Sequence, residues 1–310
     1  MQKINSKFPH NLLLASPRGF CAGVKRAIET LDDLVKKNPD RSIYCYHQIV
    51  HNKTVVKDFT DKGVIFVDDL NTIPEGSILV FSSHGVSPAL IKQAKKNKLK
   101  IVDATCPFVL KTHKEVKDFA RENYKIIYIG QRDHDETIGT TGEAPNQTII
   151  VSCTEDIDNL NIPKNTQVAV VTQTTLSFDE TKKLVKALEK KFPKLIKPKL
   201  ADICQATQNR QNGVKKIVKM GAEIVIVLGS KNSSNSNKLK TVAENNGAKA
   251  YLLDDISEID IKDLENIKCV GLTAGASLPE YKIAKAIRWF KKHGIVEIEE
   301  VRAATENNLL

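Results

Sequence analysis

The sequence lacks the features that mark a membrane, secreted or zinc-ribbon protein. No run of 18 apolar residues occurs, which argues against a membrane-spanning helix. Residues 1–11 contain neither an apolar signal core nor the Arg- and Ser-rich composition of a transit peptide. None of the six cysteines has the C-x-x-C spacing that is typical of zinc ribbons and thioredoxin motifs. We therefore expect a cytoplasmic protein with reduced cysteines and no membrane partner.

Aromatic residues are also scarce, at 5%, whereas Lys and Arg outnumber Asp and Glu by 47 to 37. No RNA-binding signature accompanies this net charge of +10, so we do not expect a nucleic-acid partner. A Lys-rich surface that keeps the protein soluble accounts for the excess. An acidic partner or substrate is the alternative.

The six cysteines that are present fall into two groups by their surroundings. One group lies in or beside apolar, strand-like runs and is predicted to consist of buried packing thiols: Cys45, Cys153 and Cys269. In the other group, each cysteine ends an apolar run and leads into a helical pattern: Cys21, Cys106 and Cys204.

Each cysteine of the second group opens the same succession of strands and polar loops. His51, His134 and Ser233 follow their cysteines by 30, 28 and 29 residues. His84, Thr174 and Ser277 follow them by 63, 68 and 73 residues. The repeat predicts a triplicated lobe of about 90–100 residues. The expected lobes are residues 11–105, 106–202 and 203–300, the last with a C-terminal tail.

The predicted fold class is α/β, with three lobes related by a pseudo-threefold axis around a central cavity. Open parallel α/β sheets bind ligands at the carboxyl ends of their strands. Every polar loop of the repeat follows a strand in this way. The arrangement would therefore bring the three cysteines and the six loops to one cavity.

Three thiolates from three lobes can hold three irons of a [4Fe–4S] cluster and leave the fourth iron open to a substrate. Each cysteine precedes a predicted helix, whose dipole favours the thiolate. Three buried thiols are one alternative. Zinc bound by three cysteines and a histidine is another, but it fits less well because the repeat offers three histidines.

The side chains of the loops suit a diphosphate group, which accepts many hydrogen bonds. The candidates are His51, His84, His134, Thr174, Ser233, Ser234, Asn235 and Ser277. The Ser- and Asn-rich run would otherwise read as a flexible linker. Glu136 is a candidate general acid if it lies in a dry cavity, and a solvated loop residue if it does not. Like charge on Asp135 is expected to raise its proton affinity further.

Nine segments together resemble the LytB family of 4-hydroxy-3-methylbut-2-enyl diphosphate reductases. They are PRGFCAGV (17–24), HQIVHN (47–52), FSSHGVS (81–87), DATCP (103–107), His134 with Glu136, TQTTLS (172–177), ICQATQNRQ (203–211), GSKNSSNSN (229–237) and LTAGAS (272–277). The resemblance implies a [4Fe–4S] cluster on Cys21, Cys106 and Cys204. It also implies diphosphate contacts from the His, Ser and Asn candidates, proton delivery by Glu136, and a place for Thr174 near the substrate hydroxyl.

The same resemblance implies a reaction and its partners. Two electrons and two protons would remove the hydroxyl of the allylic diphosphate as water, giving isopentenyl and dimethylallyl diphosphates in the last step of the non-mevalonate pathway. A ferredoxin or flavodoxin would supply the electrons. In the family, the loop before the glutamate often carries a histidine and a proline where this chain has Gln131 and Asp135.

Two other functions compete with this interpretation. One is a different three-cysteine cluster enzyme, such as a quinolinate-synthase-like dehydrating enzyme. Its carboxylate substrates would favour more arginine near the loops, whereas Arg18, Arg132 and Arg210 are isolated. The other is a non-enzymatic nucleotide- or RNA-binding protein, which the positive net charge would explain.

Overall fold

A computed structural model describes residues 8–163, 165–197 and 202–306 and shows the predicted α/β class. The strands are β1 (Asn11–Ser16), β2 (Ile43–Tyr46), β3 (Val64–Val67), β4 (Ile78–Phe81), β5 (Lys100–Asp103), β6 (Lys125–Ile129), β7 (Thr148–Val151), β8 (Val168–Thr172), β9 (Ile224–Leu228), β10 (Lys249–Leu253), β11 (Cys269–Ala274) and β12 (Glu297–Arg302). The helices are α1 (Ala22–Lys37), α2 (Lys53–Thr60), α3 (Pro88–Lys96), α4 (Pro107–Arg121), α5 (Asp135–Thr141), α6 (Thr154–Asp158), α7 (Phe178–Lys191), α8 (Gln205–Lys219), α9 (Ser234–Asn245) and α10 (Glu280–Lys292). Within these ranges, no helix is long and apolar enough to cross a membrane.

The strands form three parallel sheets. Their orders are β10-β9-β11-β1-β12, β3-β2-β4-β5 and β7-β6-β8. Most strands read as continuous apolar runs, as in Ile224–Leu228, because both faces of a parallel sheet are covered.

The described residues divide into two compact units. The first comprises residues 8–22, 51–55 and 205–306 and contains the five-stranded sheet. The second comprises residues 23–50 and 56–204, within the described ranges, and contains the other two sheets.

The five-stranded sheet of the first unit has a core on each face. Alternate residues of β9 point to opposite faces, so Ile226 packs in the same cluster as Phe290 of α10. Val227 packs instead with Ile217 of α8 and Leu239 of α9. The two apolar clusters therefore hold the carboxyl end of β9 in place. The loop that leads to α9 follows this end of the strand.

Each sheet of the second unit has its own apolar cluster. Leu79 and Phe81 of β4 pack in one, and Ile127 and Val170 of β6 and β8 pack in another. These buried strands place the segments after β4, β6 and β8, which contain His84, His134, Glu136 and Thr174.

The segment before each candidate cysteine ligand pairs with a strand that precedes one of the polar loops. β1, before Cys21, lies between β11 and β12. β5, before Cys106, pairs with β4. Ile196, upstream of Cys204, forms a parallel bridge to Ala169 of β8. β1 thus belongs to the sheet of the C-terminal strands, and the lobe boundaries given by the repeat stay a prediction.

Candidate active site

Glu136 and Thr174 form a hydrogen-bonded pair among the candidate site residues of the second unit. The backbone N–H of Thr174 donates to Oε1 of Glu136 at 2.6 Å, and its hydroxyl donates to Oε2 at 2.9 Å. The side chains lie on α5 and on the loop after β8, 38 residues apart. Both carboxylate oxygens are therefore fixed by one residue.

Glu136 is only 1% exposed, so its carboxylate has almost no water around it. This burial raises the pKa of Glu136 to about 7, although the two bonds from Thr174 act to lower it. A solvated loop glutamate would keep its ordinary pKa. The structure thus gives Glu136 the proton affinity of a general acid at neutral pH.

His134 and His84 lie beside this pair. His134 is the N-cap of α5, and its Nδ1 accepts a hydrogen bond from the N–H of Glu136 at 3.2 Å. The rings of His84 and His134 meet edge to face with their centroids 5.7 Å apart. The loops after β4 and β6 therefore bring the two imidazoles together.

Cys106 and Cys204 are tied to the same loops by their backbones. The N–H of Cys106 donates to the carbonyl of Ser83 at 3.0 Å, next to His84. The N–H of Cys204 donates to the carbonyl of Thr174 at 3.0 Å. Both thiols are half-buried, and Cys106 is the N-cap of α4, followed by Pro107.

A narrow space in front of Cys106 excludes larger side chains. A Cβ at Gly23, in the first turn of α1, would stand 2.5 Å from Sγ of Cys106. Only glycine therefore fits at this position without displacing the thiol of Cys106.

In the first unit, Ser233, Ser234 and Asn235 form the start of α9. Ser233 is the N-cap, and its hydroxyl accepts from the N–H of Ser236. Asn235 is 4% exposed, and neither its Oδ1 nor its Nδ2 has a hydrogen-bond partner among the described residues. A buried amide without partners is costly, so this side chain fits a polar ligand at the positive end of the helix.

The loops of His51 and Ser277 close on the same helix start. The hydroxyl of Ser277 donates to the carbonyl of His51 at 3.1 Å. The N–H of Lys53 donates to Oγ of Ser230 at 3.2 Å, in the loop before α9. The structure therefore brings together all the loop candidates of this unit.

Cys21 is held in the first unit by the loop that carries Ser277. Its N–H donates to the carbonyl of Ala276 at 3.1 Å. The thiol is half-buried. Each of the three candidate ligands is thus hydrogen-bonded to a loop that contains a candidate substrate-binding residue.

The other three cysteines differ among themselves. Cys45 is fully buried in β2, and burial raises the pKa of its thiol, as expected of a packing residue. Cys269 is half-buried at the start of β11, and burial likewise raises the pKa of its thiol. The prediction for Cys153 was wrong, because this residue is exposed at the N-cap of α6, beyond the end of β7.

Gln131 and Asp135, which the sequence analysis identified as departures from the family pattern, both make hydrogen bonds in the structure. The N–H of Gln131 donates to Oε1 of Gln173, and its carbonyl accepts from the N–H of His134. Asp135 lies 2.7 Å from Nδ1 of His47. The expectation that Asp135 raises the proton affinity of Glu136 is not supported, since burial is the cause of that rise.

Sequence reasoning missed two residues. Arg210 is fully buried and donates to the carbonyl of Gly19, two residues before Cys21. His47 is paired with Asp135. Both lie within the family-like segments, but their importance depends on contacts 191 and 88 residues away along the chain.

A buried acid with a hydroxyl partner and paired imidazoles, all at the ends of parallel strands, defines an α/β enzyme. The chain belongs to the LytB protein family, whose sequence model matches residues 12–291. It is 46% identical over 296 residues to the 4-hydroxy-3-methylbut-2-enyl diphosphate reductase of Acidothermus cellulolyticus, covering 95% of this chain and 86% of that protein.

Two further relatives agree. The reductase of the same name from Rhodopirellula baltica is 46% identical, with coverage of 92% of this chain and 89% of that protein. The solved structure of the E-1-hydroxy-2-methyl-but-2-enyl-4-diphosphate reductase from Plasmodium falciparum matches with a TM-score of 0.94 at 41% identity, covering 97% of this chain and 94% of that one. The chain is therefore an oxidoreductase of isoprene biosynthesis.

Proposed function

We propose that this chain reduces 4-hydroxy-3-methylbut-2-enyl diphosphate to isopentenyl and dimethylallyl diphosphates. The observation that carries the proposal is the buried pair of Glu136 and Thr174, with a pKa of about 7 at Glu136, in the unit that also holds Cys106 and Cys204. The names of the relatives favour this reaction over the carboxylate and RNA-binding alternatives.

The donor set fits an iron–sulfur cluster. Three half-buried cysteines are each hydrogen-bonded through the backbone to a loop that carries a candidate substrate-binding residue, and Gly23 lacks the Cβ that would clash with the thiol of Cys106. Cys21, Cys106 and Cys204 would hold a [4Fe–4S] cluster with one iron open. When bound, this group would pass on electrons from the external donor one at a time and would offer a Lewis-acidic position for the departing hydroxyl.

The chain's own residues bind the substrate and supply a proton. The start of α9, with Ser233, Ser234 and Asn235, donates to the diphosphate together with His51, His84, His134 and Ser277. The hydroxyl of Thr174 lies next to the substrate hydroxyl, and Glu136 delivers a proton through this contact. Two electrons and two protons release one water for each diphosphate reduced.

The electron donor we propose is an acidic ferredoxin or flavodoxin, which the net charge of +10 would attract. A reducing compartment such as the cytoplasm would keep the three thiols available. No step of the reaction requires a membrane or a nucleic acid.

Anaerobic reconstitution with iron and sulfide tests the proposal. We expect a brown protein that absorbs near 400 nm and converts the diphosphate alcohol into the two products with a chemical reductant. Glu136→Gln should keep the absorption and lose about 100-fold in turnover. A reconstituted protein that leaves the substrate unchanged would refute the proposed reaction.

A further inference from the structure

His47 and Asp135 form an ion pair at the edge of the site residues of the second unit. Nδ1 of His47 lies 2.7 Å from Oδ1 of Asp135. Asp68 approaches the other side of the ring, with its Oδ1 3.9 Å from Nε2. Asp135 is the first residue of α5 and stands between His134 and Glu136 in the chain.

His47 has an unusual backbone conformation that is held by contacts on both its main chain and its ring. Its φ is +53°, a left-handed conformation that is uncommon for a residue other than glycine. The N–H of His47 donates to the carbonyl of Val67 at 2.9 Å, and its ring stacks on Tyr46 with centroids 4.0 Å apart. Such a conformation persists when the surrounding contacts hold it, and it is often found at functional sites.

Asp135 brings a negative charge close to residues that we propose to bind a diphosphate. Its Oδ2 lies 3.9 Å from Nδ1 of His84, which in turn touches the ring of His134. A carboxylate in this place would repel a diphosphate unless a cation balanced it, because charges a few ångströms apart interact strongly in partly buried surroundings. His47 makes the shorter contact with Asp135, at 2.7 Å against 3.9 Å for His84.

The charge state of His47 agrees with this role. The hydrogen bond to Asp135 raises the pKa of His47, so the ring is more readily protonated at neutral pH. The charged or titratable groups around it are Asp135 and Asp68, the stacked Tyr46, and Asp69, which acts on Tyr46. A cavity of about 50 Å³ borders His47 and Asp135 and is large enough for a water molecule.

We propose that His47 is a positioning residue that neutralises Asp135 and thereby keeps His84 and His134 available to the diphosphate. The inference rests on the proposed function, because it concerns the binding of that substrate.

A double-mutant cycle tests the inference on the reconstituted enzyme. The dissociation constants of inorganic diphosphate and of the diphosphate alcohol are measured by calorimetry for wild type, His47→Gln, Asp135→Asn and the double variant. We expect His47→Gln to weaken binding about tenfold, since the carboxylate then loses its hydrogen-bonded cationic partner. Asp135→Asn in the His47→Gln background should restore binding to within about threefold of wild type. His10→Gln, at an exposed histidine, serves as the control.

Two further measurements separate charge from rigidity. Proline is accepted at the first position of a helix, so Asp135→Pro removes the carboxylate while keeping the start of α5. His47→Gln should then have no effect in the Asp135→Pro background. By nuclear magnetic resonance, the His47 ring should titrate at a lower pH in Asp135→Asn than in wild type.

The outcomes distinguish this inference from the proposed function. A double variant that binds as weakly as His47→Gln, or a His47→Gln variant that binds like wild type, overturns the inference alone. Wild-type protein that binds neither probe overturns the proposed function and this inference with it.

Discussion

Arg210 donates from Nη2 to the carbonyl of Gly19 at 2.8 Å, two residues before Cys21. The same guanidinium bonds to Glu306 at 2.7 Å. Arg210 is fully buried, and Gly19 has a φ of +68° that favours glycine. One side chain therefore ties the C-terminal segment to the loop of a proposed cluster ligand.

Replacing this arginine should destabilise the first unit. Arg210→Lys keeps the charge but loses the planar fork, so we expect the free energy of unfolding to fall by about 2 kcal/mol. Arg302→Lys, at an exposed arginine, should change it by less than about 0.5 kcal/mol. Equal unfolding midpoints for both variants in urea would show that the bonds of Arg210 contribute little.

Replacing any of the three proposed cluster ligands should affect cluster assembly far more than replacing another cysteine. A hard hydroxyl replaces a soft thiolate poorly, so Cys21→Ser, Cys106→Ser or Cys204→Ser should abolish cluster assembly. Cys153→Ser is the matched control, since that thiol is exposed. Iron and sulfide are counted per chain after reconstitution. Full cluster content in Cys106→Ser would exclude this residue from the ligand set.

Glu136 should also leave a signature in the pH dependence of stability. Its folded-state pKa of about 7 lies above the ordinary value of 4.5, so the folded protein binds the proton more tightly than the unfolded chain. Its contribution to stability is present below about pH 4.5 and is lost as the pH rises to about 7. Relative to wild type, Glu136→Gln should therefore be more stable at pH 8 than at pH 4.5, by about 3 kcal/mol.

Urea unfolding of both proteins without cluster, at the two pH values, measures this difference directly. The comparison cancels other titrating groups, because wild type and variant share them. An identical stability difference at both values would mean that Glu136 titrates normally and is not the buried acid.

The buried amide of Asn235 should matter for the diphosphate. Asn235→Ala removes a donor that has no other partner among the described residues, and each bond to a charged group contributes about 1.5–3 kcal/mol. We expect the dissociation constant of the diphosphate to rise about 10- to 100-fold, with the cluster spectrum unchanged. Ser277→Ala should act in the same direction.

The control for this prediction is Asn245→Ala, at the exposed end of the same helix. Neither Asn235→Ala nor Ser277→Ala should affect the weak binding of the alcohol that lacks its diphosphate. Diphosphate titrations that match wild type for both variants would show that these loops do not bind that group.

Electron delivery by a protein should depend on salt. Opposite charges speed encounter at low ionic strength, so raising the salt concentration should slow turnover driven by an acidic ferredoxin. Turnover with a small uncharged reductant should change little. Steady-state rates with both donors over a salt series measure the effect. Equal salt dependence with both donors would show that the net charge of the enzyme does not attract the protein donor.

The sequence by itself determined the local elements and the positions of the candidate residues. Apolar runs and helical periodicity predict the α/β class, because the alternation of strand and helix depends on neighbouring residues. The repeat likewise predicted which polar loops follow strands, and the loop residues of each unit do lie together.

Only the tertiary structure decided the pairing of strands and the chemistry of individual groups. β1 pairs with β11 and β12, more than 250 residues away along the chain, so local patterns do not specify its sheet. Glu136 acquires its raised pKa from burial, beside a partner 38 residues distant. Proton affinity and charge balance depend on solvent exclusion and on long-range contacts, which arise only when the chain has folded.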